Sequence, residues 1–123
     1  ELRQLCLDQD VGVINFYSLA AGFLTGKYRT PADAAKSARG KTTVGKYLNP
    51  RGLRILAALD EVAAGTGSTP ARVAVAWVMA QPGITSPIAS ATSLEQLREL
   101  IAAAQLVLDP KALALLAKAS APD

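Results

Sequence analysis

Two stretches of this 123-residue chain read as strands, Val11 to Tyr17 and Ile84 to Ile88, and more than sixty residues separate them. Both are short, apolar and rich in β-branched side chains without strict alternation, the pattern of strands buried on both faces of a parallel sheet. A connection of that length is a crossover, and crossovers join parallel neighbours with helices packed outside. Two parallel strands alone would leave unpaired edges and unsatisfied backbone groups. The expectation is therefore an α/β chain, two parallel strands with a mostly helical remainder, that either supplies a segment of a larger (β/α) barrel or associates with copies of itself.

The helical remainder is marked by local signals. Leu2, Leu5 and Cys6 fall at helical spacing, so residues 1 to 9 read as the end of a helix. Asn49-Pro50, Thr69-Pro70 and Asp109-Pro110 each pair a side-chain acceptor with a proline suited to the first helical position, and Ser93 with Gln96 forms a capping-box pattern. These starts predict a helix from Pro50 ended by Gly65, a second from Pro70 to about Ala80, a third from about Leu94 to Ala104 and a fourth from Pro110 to Ala119. The second is apolar nearly all round, which predicts packing on more than one side and a core position for Trp77. Ser18 to Asn49, rich in Gly, Ala, Lys, Thr and Ser, reads as one long loop of the kind that carries function.

Composition removes several classes of function. Half of the residues are hydrophobic, which excludes a disordered tail. Pro82, Gly83 and Pro87 interrupt the longest weakly charged run, so a membrane-spanning helix is not expected. No arginine-flanked apolar start with a small-residue cleavage site is visible, and a cytoplasmic location is expected. One cysteine and no histidine argue against an internal disulfide and the usual zinc or iron sites, leaving Cys6 as a small core residue. Lys27, Arg29, Lys36, Arg39, Lys41 and Lys46 populate the long loop, either as a solvated surface or as phosphate contacts. Aromatic interleaving suited to nucleic acid is missing apart from Tyr28 and Tyr47.

Each strand runs into a loop of small residues, GVINFYSLAAGFLTGKY from Gly12 to Tyr28 and ITSPIASATS from Ile84 to Ser93. Two such junctions in a short chain suggest one shared ligand. Backbone amides and the helix dipole beyond Ser93, with the Thr92 and Ser93 hydroxyls, would favour an anion, although Ser93 serves equally well as a plain helix cap.

Two segments, FYSLAAGFLTGKYR from Phe16 and AWVMAQPGITSPIASATSLEQLREL from Ala76, resemble the closing part of the aldo-keto reductases, bacterial NADP-dependent types in particular. The resemblance covers nearly the whole chain and implies the C-terminal segment of a (β/α)8 TIM barrel, residues 1–123 holding its last two strands and C-terminal helices. It further implies bound NADPH and reversible reduction of a small-molecule carbonyl substrate, an aldehyde or ketone, to an alcohol. By position, Phe16 would stack on the nicotinamide ring, and Tyr17, Ser18, Leu19, Ala20 and Ala21 would form the turn lying against the coenzyme. Ser18 replaces a proline common in such turns, a change predicted to loosen it. Gly22 and Gly26 would allow close backbone approach, with Lys27 and Arg39 near the pyrophosphate. Ser90 stands where relatives often carry glycine. Thr92 would meet the adenosine phosphate and Gln96 and Glu99 the adenosine end, while Leu100 replaces an asparagine that commonly bonds adenine.

The family's proton donor is a tyrosine tuned by lysine, with aspartate and histidine nearby, all from earlier strands. Tyr17, Tyr28 and Tyr47 fall instead in the coenzyme-side loop, where structural or coenzyme contacts suit them better. The chain alone is thus expected to be inactive and to self-associate when expressed as this segment. A non-catalytic dinucleotide-binding or regulatory module, and an all-helical interaction domain in which the two apolar runs are buried linkers, are the alternatives.

Overall fold

The computed structural model describes residues 1–122. A short helix α1 (Leu2–Asp8) leads into β1 (Val13–Asn15), followed by 3-10 segments at Ala20–Thr25 and Pro31–Lys36. Helices α2 (Gly40–Tyr47), α3 (Pro50–Thr66) and α4 (Pro70–Met79) precede β2 (Ile84–Pro87), and α5 (Leu94–Gln105) and α6 (Pro110–Ser120) follow it. The two strands are parallel neighbours, Val13 opposite Ile84, Ile14 opposite Ser86 and Asn15 opposite Pro87, with an irregularity between Val13 and Ile14. Thr85 Oγ1 accepts the Val13 N–H at 3.1 Å at that irregularity. This parallel ladder rules out the all-helical reading.

The four sequence-marked helix starts form as expected because each cap is a local interaction. Asn49 Oδ1 accepts from Gly52 N at 2.9 Å, Thr69 Oγ1 from Arg72 N at 3.3 Å, Ser93 Oγ from Gln96 N at 3.2 Å and Asp109 Oδ1 from Ala112 N at 2.7 Å. Helix α3 runs through Gly65 and is capped two residues later than expected, because Gly67 rather than Gly65 adopts the left-handed conformation that closes it.

The core lies among α3, α4 and α6. Leu56, Leu59 and Val62 of α3, Val73, Ala74 and Ala76 of α4, and Leu116 and Ala119 of α6 interlock there, with Leu108 from the preceding turn. Arg51 and Arg54, near the start of α3, donate to the carbonyls of Ser120 and Ala119, satisfying groups that the last turn of α6 leaves open. As its apolar circumference predicts, α4 packs against α3, α5 and β2 together.

The expected loop from Ser18 to Asn49 is instead folded. Thr30-Pro31 starts a turn in which Asp33 Oδ2 accepts from Arg29 N at 2.7 Å and Thr30 N at 2.8 Å. Lys36 pairs with Asp33 at 2.8 Å, and these hydrogen bonds, that from Lys36 foremost, hold the carboxyl well below the usual carboxylate range. The segment packs because Phe23 and Tyr28 enter the helical core as its largest fully buried side chains. Tyr28 keeps its hydroxyl paired with Ser37 Oγ at 2.7 Å, a structural role. Gly52 permits the α2–α3 corner, since a Cβ there would lie 1.9 Å from the Tyr47 carbonyl oxygen.

The strands depart from expectation. Both are shorter than the apolar runs, and Val11, Ile14, Phe16 and Ile88 are exposed rather than buried on two faces. A two-stranded sheet has a neighbour on one edge of each strand, and here helices cover one face. Cys6 is likewise only half-buried, since α1 contributes no buried residue among those described. Trp77 is half-buried at the margin of the core, and its Nε1 is buried without a hydrogen-bond partner. Among the described residues no single helix is long and apolar enough to cross a membrane.

Candidate functional site

Parallel pairing places the C-terminal ends of both strands at one edge, so both strand-to-helix junctions leave the sheet side by side. Ile88 N donates to Asn15 O at 2.8 Å, extending the ladder one residue beyond β2. Ser18 then sits between the two junctions. Its side chain is 6% exposed, and its hydroxyl lies 3.4 Å from the carbonyl oxygens of both Asn15 and Ile88. A proline could not make this contact, so the substitution expected to loosen the turn ties it to the second strand.

Phe16 and Tyr17 project from that edge, 73% and 61% exposed, with their rings edge-to-face at 5.1 Å. Both rings are far more open to water than Phe23 and Tyr28, which are buried, or Tyr47 and Trp77, which are half-buried. Tyr17, Ala20, Ala21 and Gly22 all take positive φ, which reverses the backbone tightly. For non-glycine residues this costs about 1–2 kcal/mol each. Packing holds the turn: Leu19 rests on the core, its carbonyl accepts from Gly22 N at 2.9 Å and Leu24 N at 3.2 Å, and Phe23 anchors the next residue.

The close approach expected at the glycines is made by the chain's own side chains. A Cβ on Gly22 would sit 3.2 Å from Lys27 Cε, and one on Gly26 would sit 2.6 Å from Arg29 Nη2. Lys27 therefore lies over the Gly22 backbone with its ammonium 5.0 Å from the Tyr28 ring centre. Arg29 is committed elsewhere, gripping Asp60 through two hydrogen bonds of 2.7 and 2.8 Å that raise its pKa. Lys36 is held by Asp33 and the Lys27 carbonyl. Arg39 is exposed at the N-cap of α2, a helix packed on the two 3-10 segments.

At the second junction, Ser90, Thr92, Ser93 and Gln96 are all exposed. The expected capping box forms only in half. Ser93 Oγ accepts from Gln96 N, but Gln96 Oε1 reaches past the cap and accepts from Thr92 N at 2.8 Å and Thr92 Oγ1 at 3.0 Å. The turn before α5 is thereby fixed, with the Gln96 amide nitrogen left to donate outward. Leu100 is half-buried.

Glu99 is engaged within the chain. Its Oε2 accepts from Thr69 Oγ1 at 2.6 Å, and its Oε1 accepts from Arg72 Nε at 3.0 Å and from Arg72 Nη2. The Thr69 hydrogen bond and, after the opposing effect of burial, Arg72 hold the Glu99 carboxyl below its ordinary pKa. Sequence reasoning did not find this cluster. The Thr69 cap is visible in the sequence, but its second partner lies thirty residues away.

The edge can thus present an aromatic face, a backbone turn with a lysine beside it, and a hydroxyl-rich helix N-terminus. These donors fit a long ligand with an aromatic end and phosphates.

Residues 1–121 match the model of the aldo/keto reductase family. The chain is 31% identical over 116 residues to the uncharacterized oxidoreductase YrpG of Bacillus subtilis, covering 94% of this chain and 34% of that protein. It is 36% identical over 98 residues to L-glyceraldehyde 3-phosphate reductase of Escherichia coli K12, covering 76% of this chain and 28% of that protein. It is also 30% identical over 111 residues to a probable voltage-gated potassium channel subunit beta of Arabidopsis thaliana, covering 87% and 34% respectively. The chain spans about a third of the length of these relatives.

Proposed function

The chain belongs to the aldo/keto reductase family, and on that premise we propose that its two junctions form the coenzyme side of an NADP(H)-dependent oxidoreductase reducing aldehydes or ketones. Residues 1–123 would hold the last two strands and C-terminal helices of a (β/α)8 barrel. In such barrels ligands sit at the C-terminal ends of the strands, and phosphate is often held after the last two. The observation that carries the reading is the register, Asn15 opposite Pro87, which sets the exposed Phe16 beside the junction bearing Thr92 and Gln96.

When bound, the coenzyme supplies a hydride to the carbonyl carbon. Phe16 offers an apolar ring face for the nicotinamide, and the tight turn from Tyr17 to Gly22 would lie against the coenzyme. Lys27 and Arg39 would contribute charge at the pyrophosphate. Ser90, Thr92, Gln96 and the first amides of α5 would meet the adenosine phosphate, where the positive end of a helix favours an anion. Glu99 and Leu100 stand at the adenosine end. The proton donor is not among these residues, so this chain by itself is proposed to bind without turnover.

Titration with NADPH, followed by the emission of the reduced nicotinamide, tests this reading. Saturable binding weakened about fivefold to tenfold by Phe16→Ala is expected, with no carbonyl-dependent NADPH oxidation. Turnover by the 123-residue chain above a control with Phe16 and Gln96 replaced would overturn the inactivity. Absence of saturable binding would overturn the site. The likeness to a potassium channel subunit beta supports a second reading, a dinucleotide-binding regulatory module, which requires binding without turnover in the complete protein as well.

A further inference from the structure

Helix α5 carries the hydroxyl-rich junction and lies along α4, with its apolar residues only partly covered. Among its described residues only Ala103 is buried, while Leu94, Leu97 and Ile101 are exposed. Beside that packing, a polar cluster joins the two helices. Thr69, the N-cap of α4, accepts from Arg72 N and donates to Glu99 Oε2, and the Arg72 guanidinium closes the ring by donating twice to Glu99 Oε1. Both side chains of the ion pair are partly buried, Arg72 31% and Glu99 28% exposed, and the guanidinium–carboxylate contact is charge-assisted. Glu99 lies one helical turn from Gln96, which fixes Thr92.

We propose that Thr69 and Arg72 are positioning residues: acting through Glu99, they set where Thr92 and Gln96 meet the adenosine phosphate. The inference rests on the coenzyme reading above. It differs from the role the family resemblance implies for Glu99, because three of the carboxylate's roughly four acceptor positions are already occupied by Thr69 and Arg72. Glu99 serves mainly as the anchor of α5.

The test is NADPH titration of Arg72→Met, Arg72→Lys, Glu99→Gln and the Arg72→Met/Glu99→Gln double variant, beside the parent chain and with reduced nicotinamide mononucleotide as a second ligand. Positioning predicts that Arg72→Met weakens NADPH binding roughly fivefold to tenfold and leaves the mononucleotide, which lacks the adenosine end, unchanged. Arg72→Lys should recover part of the loss. The double variant should bind about as weakly as the worse single one, since both remove the same link. If Glu99→Gln weakens NADPH binding while Arg72→Met does not, Glu99 is a direct adenosine contact and the proposal fails. Equal weakening of both ligands would mark a global folding defect and would also overturn it. A parent chain that binds neither ligand removes the coenzyme reading itself. A parent that binds both, with no variant effect, removes only the positioning role.

Discussion

The helical core and the strand region of this molecule meet water in opposite ways. Leu56 of α3 and Val73 of α4 have no exposed surface, whereas Ile14 and Phe16, as apolar, keep 61% and 73% of theirs. The difference follows from how each element satisfies itself. Helices complete their backbone hydrogen bonds internally, so α3, α4 and α6 need only bury a stripe, and they can do that against one another. A strand depends on neighbours at both edges and cover on both faces. The sparsely covered strand region is therefore the one that leaves Phe16, Tyr17 and the Thr92 turn open to solvent, the surface proposed for the coenzyme.

Substitutions can break or sharpen this contrast. Leu56→Ala should cost about 2–5 kcal/mol in denaturant unfolding, because the side chain is fully enclosed and its loss leaves a cavity. Gly52→Ala should cost upwards of about 2 kcal/mol, since the new methyl would strike the Tyr47 carbonyl and backbone must move. Asn49→Ala, removing the α3 cap, should cost about 1 kcal/mol. Gly65→Ala should raise the melting temperature, gaining about 0.5–1 kcal/mol, because the position is helical and its Cβ would meet nothing within 4 Å. Ile14→Ala should change stability by no more than about 0.5 kcal/mol. A loss at Ile14 comparable to that at Leu56 would erase the distinction between the two regions.

The Glu99 anchor adds a small pH dependence. Its folded pKa is lowered, so its contribution is present above the unfolded glutamate value, about 4.3, and is lost as pH falls through the folded value. Thermal melts across that acid window should show a shallower decline for Glu99→Gln than for the parent. An identical slope would show that the pair contributes nothing to stability.

Much of the architecture was legible because its signals are local. Asn49, Thr69, Ser93 and Asp109 announce helices through hydrogen bonds three residues away, and parallel pairing follows from the length of the crossover. Helix α2 was not legible, since GKTTVGKY lacks an apolar stripe and its place depends on Phe23 and Tyr28 entering a distant core. The Thr30-Pro31 start with Asp33 was nonetheless there to be read. Strand burial was misjudged for a different reason: β-branched runs record the surroundings a strand is suited to, not the neighbours present in this chain. The contacts of Ser18 and Glu99 lay beyond sequence reasoning because their partners, Ile88 and Thr69, are brought to them by the fold across 70 and 30 residues.

The joint use of both junctions is tested most directly by NADPH and reduced nicotinamide mononucleotide titrations of Phe16→Ala and Thr92→Val. Phe16→Ala should weaken both ligands alike, and Thr92→Val should weaken NADPH alone, placing the two junctions at opposite ends of one ligand. Unchanged NADPH affinity in Thr92→Val, or loss of mononucleotide binding in that variant, would contradict it.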